Sequence, residues 1–433
     1  MTIIKFLGAA KEVGRSAIEV KSNKNYLLDC GIKLNKGSEE FPLLDAKEIR
    51  KLDDVIITHA HLDHSGYAPA LYKHGYQKKV SMTKPTRDLI QLLLSDYLRI
   101  NRDRNKAYTQ KDLDKLLTNI SIKEYGNNKD YSLHDAGHIL GSAMVLLKNE
   151  KILYTGDFNN RSTRLLEGAE QGISAETLII ESTYGAKTDH HVPIKELSNT
   201  FIKSIATTLR HGGKVIIPTF AIGRGQEILF TLENYLRTKQ LENVPVFLDG
   251  MVIKCLKIYR HNAIYLKDEV KHRILTSDDD PFKSDYYTIP QKKDRSDVFE
   301  SGPCIIVSTS GMLNGGPVLE YLKKLGSNKK NKLILVGFQA EGTNGRAILE
   351  GAKEINIRGE KYELNLQVEQ NSFSGHADYQ GLNAFVKGIK GLKRVFIVHG
   401  EKEKTSEFAE GLREKNKKLD VIVPDLGEEF KVL

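Results

Sequence analysis

The sequence predicts an α/β protein: a layered sandwich of short strands and helices, interrupted by a second α/β unit built on an open parallel sheet. Three observations carry this reading. Over residues 1–185 short apolar strands alternate with turns and helices, and several strands end on a histidine or a carboxylate. Over residues 186–365 the pattern changes to long helices alternating with apolar strands in βα fashion. Over residues 366–433 the short motifs at strand ends return, in Phe373-Ser374-Gly375-His376-Ala377-Asp378 and Val395-Phe396-Ile397-Val398-His399-Gly400. The middle segment is therefore expected to be an insertion into the first domain.

Each element follows from its local pattern. Strands are expected at 3–6, 17–20, 26–29 and 55–58, helices at 86–98 and 110–119, and strands again at 143–148, 151–155 and 177–180. In the insertion a helix is expected over 193–210, then a strand at 214–218, a helix over 226–237 and a strand at 244–248 with helix after Asp249. A strand at 304–308, a glycine-rich loop, a helix over 318–324 and a strand at 333–337 follow. The lysine-rich segment 328–332 is expected to be a surface loop.

Composition bounds the function. A chain of 433 residues with 40% hydrophobic and 28% charged residues can bury a full core without staples and is not a disordered chain. Cys30, Cys255 and Cys304 are scattered and odd in number, so neither a disulfide framework nor a CxxC metal site can be drawn, and a reduced intracellular protein is expected. The opening residues lack the pattern of a signal peptide, and no run of about 18 apolar residues occurs. A cytoplasmic protein without a membrane partner is the expectation. The formal net charge of +9 favours a polyanionic partner.

The chemistry concentrates at His59-Ala60-His61-Leu62-Asp63-His64, delivered by the apolar run Val55-Ile56-Ile57-Thr58. Three histidines and an aspartate in six residues would be costly to bury unpaired, and imidazole with carboxylate suits zinc or a similar divalent transition metal. This loop can serve two ions only with further ligands. Candidates are His138 in Gly137-His138-Ile139-Leu140-Gly141, Asp157 in Tyr154-Thr155-Gly156-Asp157, and His399; each stands beside glycine near an apolar strand. His74, His134, His211, His261 and His272 carry no such context and are expected to be ordinary hydrogen-bonded residues.

Taken in order, these motifs resemble the β-CASP branch of the metallo-β-lactamase-fold nucleases, which includes ribonuclease J and the endonuclease subunit that cleaves pre-mRNA 3′ ends. Asp29-Cys30-Gly31, the 59–64 cluster, His138, Asp157, Glu181 in Ile180-Glu181-Ser182-Thr183-Tyr184-Gly185, His376 and His399 match seven motifs over nearly the whole chain. The resemblance implies an αββα metallo-β-lactamase sandwich with an inserted β-CASP domain. It implies two zinc ions per chain, with manganese as an alternative. His59, His61 and His138 would hold the first, and Asp157 would bridge both. Asp63, counted with His376 and Glu181 among the catalytic residues, would complete the second site with His64 and His399. Asp29 would orient the ligands from behind. His376 would act as general acid, kept protonated by Glu181. Histidine at position 399, where DNA-directed relatives carry an apolar residue, favours RNA over DNA.

The substrate side of the insertion is fainter. The loop from Ser308 to Pro317 lies between a strand and a helix, and its glycines would let backbone N–H groups approach phosphate. By resemblance Ser308, Ser310, Gly311, Arg224 and Arg346 would lie near RNA. Recognition would use the groove between the two domains and, by analogy, a homodimer or an RNA-processing complex; bases could stack on Phe or Tyr, but the sequence does not select which. The function expected is a metal-dependent ribonuclease, endonucleolytic, 5′→3′ exonucleolytic or both. The rivals are an inactive RNA-binding paralogue, which would have lost metal ligands, and a hydrolase of thioesters or lactones, which would lack the insertion and the Ser-Gly-His-Ala motif.

Overall fold

The computed structural model describes residues 1–35, 38–101 and 107–432. The chain folds as two compact units, one of Met1–Ser162, Glu167–His190 and His376–Leu433, the other of Thr163–Leu166 and His191–Gly375. The sequence pattern places the transitions after 185 and 365. The second unit runs past 365 because the strand Gln367–Gln370 pairs in parallel with Lys332–Leu335. Its side chains are mostly polar and exposed, so hydrophobic periodicity gives no warning of it. Four upstream residues also belong to this unit: the buried carboxylate of Glu227 accepts from the backbone N–H of Arg164 at 3.1 Å and of Leu165 at 3.2 Å.

The first unit is an αββα sandwich of two seven-stranded sheets. One sheet runs in the order Glu429–Val432, Thr2–Phe6, Ile18–Lys21, Asn25–Leu28, Asp54–Ile56, Val80–Met82 and Ile120–Ile122. The other runs Asp420–Ile422, Arg394–Val398, Thr177–Glu181, Ile152–Tyr154, Ala143–Leu147, Tyr131–Asp135 and Gly126–Asn127. Alternation along each strand decides which layer a side chain enters. Ile152, Tyr154, Ile179, Phe396 and Val398 pack with Ile4, Phe6, Ile18 and Ile56 between the sheets. Their neighbours Leu153, Leu178, Ile180, Val395 and Ile397 point the other way, onto Leu382 and Phe385 of helix Tyr379–Gly388 and Phe408 and Leu412 of helix Lys402–Lys415. Each such buried side chain contributes about 1.5–3 kcal/mol. Asp378 caps the first of these helices by accepting from the N–H of Gly381 at 2.8 Å.

The second unit is a six-stranded, wholly parallel sheet in the order Tyr287–Thr288, Val246–Asp249, Ile305–Ser308, Val215–Pro218, Lys332–Leu335 and Gln367–Gln370. Val318, Tyr321 and Leu322 of helix Val318–Leu325 bury against Ile216, Ile306, Leu333 and Leu335. The lysine-rich segment is only partly a surface loop. Asn331 is 2% and Lys332 9% exposed, because Lys332 opens a strand and the Asn331 side chain joins the N–H of Lys214 to the carbonyl of Leu325. Among the described residues no helix is long and apolar enough to cross a membrane.

Candidate metal centre

The site forms at the carboxyl ends of strands in the first unit. The strand Asp54–Ile56 gives out before His59, and the expected loop contains a helical turn, Leu62–Ser65, that carries Asp63 and His64. Asp157 follows the strand Ile152–Tyr154, Glu181 closes Thr177–Glu181, and His399 follows Arg394–Val398. Two backbone features let these turns close. Gly156 has φ +53°, and a Cβ there would lie 2.7 Å from the hydroxyl of Thr58. His399 itself sits at φ 48°, a region few non-glycine residues enter, held by its N–H bond to the carbonyl of Ala9 at 2.7 Å.

Seven side chains converge. His59, His61, His138 and Asp157 bring one potential ligand atom each to within 4.8 Å of one another, and Asp63, His64, His399 and Asp157 do the same. Asp157 belongs to both groups through different oxygens. Its Oδ2 lies 3.5 Å from His59 Nε2 and 3.8 Å from His138 Nε2; its Oδ1 lies 3.2 Å from His64 Nε2 and 3.6 Å from His399 Nε2. Asp63 reaches His399 Nε2 at 3.7 Å.

The donor set fits divalent cations. His59 Nε2 and Asp157 Oδ1 are buried without a hydrogen-bond partner, which a buried polar atom tolerates only at a cost of about 1–3 kcal/mol. Burial and then the neighbouring imidazoles hold His59 well below the ordinary histidine range, and burial pushes His61 down to about 4, so both keep a lone pair for a metal. Burial also opposes charge on His64, but Asp157 and Asp29 outweigh it and raise the imidazole well above its usual value. A cation on Nε2 answers the same field as a proton. Burial pushes Asp157 up, yet His399, His64 and His376 together hold it well below the usual carboxylate range.

Asp29, fully buried, stands behind the candidate ligands. It accepts from the N–H of Thr58 at 2.7 Å, the Thr58 hydroxyl at 2.9 Å and the Tyr154 hydroxyl at 2.9 Å, and pairs with His64 Nδ1 at 2.7 Å. Thr58 in turn meets His59 Nδ1 at 3.0 Å. The sequence reading did not find Thr58, Tyr154 or Ser16. Ser16 Oγ lies 2.9 Å from His399 Nδ1 and 3.5 Å from His64 Nε2, linking two candidate ligands far apart in the sequence. Nothing local marks that serine; its role exists only in three dimensions.

His376 and Glu181 form a pair on the rim. Both Glu181 oxygens lie 2.9 Å from His376 Nδ1, and the ring centroid is 4.5 Å from that of His138. Glu181 is itself fixed by the N–H of Phe158, next to Asp157, at 2.9 Å. Arg161, a further residue the sequence reading did not select, donates to Asp378 at 2.7 Å two positions beyond His376.

Of the residues expected near RNA, Ser308, Ser310, Gly311 and Arg224 lie at or beyond the carboxyl ends of the second unit's strands. Ser308 is fully buried, with its hydroxyl toward the carbonyl of Thr309, and Arg224 is 9% exposed at the start of helix Arg224–Arg237. The hydroxyl of Ser310 donates to the carbonyl of Gly315 at 3.0 Å. Arg346 pairs with Glu350 at 2.6 Å on helix Asn344–Leu349, whose start is joined to the same loop by the bond from Gly345 N–H to the carbonyl of Met312 at 3.1 Å. His134, His211 and His272 lie outside the centre: His134 is hydrogen-bonded to Ser132 and lies 3.0 Å from the Glu170 carboxylate, and His211 and His272 are bonded to Thr207 and Thr276.

Comparison with known proteins gives three family matches along the chain: the metallo-beta-lactamase superfamily over residues 14–206, the Beta-Casp domain over 225–348, and the Zn-dependent metallo-hydrolase RNA specificity domain over 361–424. An RNase J-like protein of Methanocaldococcus jannaschii is 41% identical over 437 residues, 99% of each chain. The transcription termination factor FttA of the same organism is 41% identical over 98% of this chain and 70% of its own. FttA of Pyrococcus abyssi is 38% identical over 94% of this chain and 68% of its own. A crystal structure of a protein of unknown function from Enterococcus faecalis V583 shares the fold with a TM-score of 0.58 at 13% identity, over 99% of both chains.

Proposed function

The chain belongs to the β-CASP branch of the metallo-β-lactamase superfamily, and on that premise we propose that it is a metal-dependent ribonuclease that hydrolyses RNA phosphodiester bonds. The observation that carries this reading is Asp157, whose two oxygens face two separate sets of histidines. His59, His61 and His138 would hold one ion and Asp63, His64 and His399 the other, with zinc the expected metal and manganese its alternative. Two such ions supply Lewis acidity to a phosphate and lower the pKa of water.

The chain's own groups do the rest. Asp157 fixes the spacing of the two ligand sets. Asp29, Thr58 and Ser16 set imidazole orientation through the ring nitrogens they bond. Glu181 holds Nδ1–H of His376, so that Nε2–H is directed to the leaving oxygen and its proton stabilises the departing charge. The anchoring of Glu181 by the N–H of Phe158 ties this acid to the segment that carries Asp157. The names of the relatives support RNA processing or transcription termination as the setting. A full set of ligand residues argues against an inactive paralogue.

The test is cleavage of 5′- and 3′-labelled RNA by the purified chain loaded with zinc or manganese. Products are expected from both labels. Release of single nucleotides from the 5′ label marks 5′→3′ exonuclease action, and discrete internal fragments mark endonuclease action. Intact RNA under both metals overturns the ribonuclease reading.

A further inference from the structure

The second unit carries a feature that the metal chemistry does not use. In its sheet the neighbouring strands Val215–Pro218 and Ile305–Ser308 lead away in opposite directions: the first continues to Val246–Asp249 on the far side of Ile305–Ser308, the second to Lys332–Leu335 on the far side of Val215–Pro218. Such a point leaves a crevice beyond the carboxyl ends of a parallel sheet, where ligands of open α/β sheets bind. Phe220 lies at this point of the sheet, two residues past Pro218, and is partly exposed. Thr219, before it, is fully buried and extends the ladder by donating to the carbonyl of Ser308 at 2.9 Å.

One edge of the Phe220 ring rests on backbone. A Cβ on Gly337 would lie 2.7 Å from its Cε2, and a Cβ on Gly311 would lie 3.1 Å from its Cδ2 and 2.9 Å from its backbone nitrogen. Glycine at both positions is what lets the ring sit so close. Gln339, 3% exposed, stitches the two loops together, its Nε2 donating to the carbonyls of Gly311 and Gly337 at 3.1 Å each. Gln339 in turn requires Gly345, where a Cβ would lie 1.7 Å from Oε1. Among the described residues no other aromatic ring pairs with Phe220. A large apolar ring is thus seated against the backbone of two glycines on neighbouring loops. Arg224, the first residue of helix Arg224–Arg237, is four residues on.

We infer that Phe220, seated on Gly311 and Gly337, is a stacking platform for one unpaired nucleobase of the RNA. The inference rests on the ribonuclease reading above and names a residue of its substrate site. A π-face accepts any base, so the contact gives affinity and register rather than sequence preference. Gln339 is the positioning residue of the platform.

The experiment is binding of a fluorescein-labelled decaadenylate with hydrolysis-resistant phosphorothioate linkages to the full chain, followed by anisotropy. A single abasic riboside is walked through the oligonucleotide, and wild type is compared with Phe220→Leu and Phe220→Tyr. In wild type one abasic position is expected to weaken binding by about 5- to 100-fold. Phe220→Leu is expected to weaken the intact oligonucleotide by a similar factor while leaving the oligonucleotide abasic at that position unchanged. Phe220→Tyr, which keeps the ring, is expected to bind as wild type does. Equal weakening of intact and abasic RNA by Phe220→Leu at every position, or wild-type binding by that variant, overturns the platform. Absence of binding by wild type overturns the RNA reading itself, and the platform with it.

Discussion

Both units gather their candidate site residues beyond the carboxyl ends of strands, yet the two edges are built from opposite materials. In the first unit the edge is loaded with side chains: His59, His64, His138, Asp157, Glu181 and His399 are each 3% exposed or less. In the second, the edge presents glycine and backbone around Phe220, Thr309 and Ser310. The first stabilises buried charge only through mutual compensation, Asp157 against the histidines and Asp29 against Thr58, Tyr154 and His64. The second relies on close backbone approach, with Gly311 and Gly337 set against the Phe220 ring. The same strand geometry therefore yields a charge-dense edge of histidines and carboxylates in one unit and a glycine-rich edge around a single ring in the other.

Three substitutions sharpen that contrast, in order of expected effect. His376→Ala removes the proposed acid and leaves every ligand residue in place. Its kcat on RNA is expected to fall by about 10²- to 10⁴-fold with metal content unchanged; a fall in bound metal would make His376 part of the cage instead. Ser16→Ala removes the hydroxyl on His399 Nδ1. In a stepwise metal titration one of two binding events is expected to weaken by about 10- to 100-fold while the other holds; equal weakening of both, or none, would deny Ser16 a specific role. Asp135→Asn probes the charge stored at this edge. Asp135 accepts from the N–H of Gly137 at 2.8 Å, just before His138, and burial above all pushes its carboxyl up to about 6. The folded state thus binds this proton more tightly than the unfolded chain, and stability contributed by the group is lost as pH rises through about 4 to 6. Asparagine keeps the bond to Gly137 without the charge. Denaturant unfolding should show the variant more stable at pH 7 by on the order of 1–2 kcal/mol, with the gain absent at pH 4. An equal gain at both pH values would point to packing rather than charge.

What could be read from the sequence follows from how local each feature is. The histidine cluster at 59–64 needs only one turn of chain, so its chemistry is visible in the spacing alone. His138, Asp157 and His399 come from separate strand ends, and only the resemblance to a family of motifs joins them. Ser16, Thr58, Tyr154 and Arg161 stayed invisible because a serine, threonine, tyrosine or arginine acquires its role from a neighbour far along the chain. The strand pattern was legible in longer runs buried on both faces, as at Thr177–Glu181 and Ile305–Ser308, but not in the short buried strand Val80–Met82. It failed at Gln367–Gln370, a polar edge strand, and at Asn331 and Lys332, whose burial rests on hydrogen bonds rather than on hydrophobicity. Phe220 could not be singled out among 15 phenylalanines without the glycines that seat it.

The most direct test of the centre is the metal content of the zinc-loaded full chain, measured beside that of Asp157→Asn, with RNA cleavage followed on the same samples. About two ions per chain are expected in wild type, at most one in the variant, with cleavage reduced by at least about 10³-fold as both clamps lose their shared carboxylate. A wild-type chain that saturates at one ion, or a variant that keeps two and still cleaves, would contradict the two-sided role of Asp157.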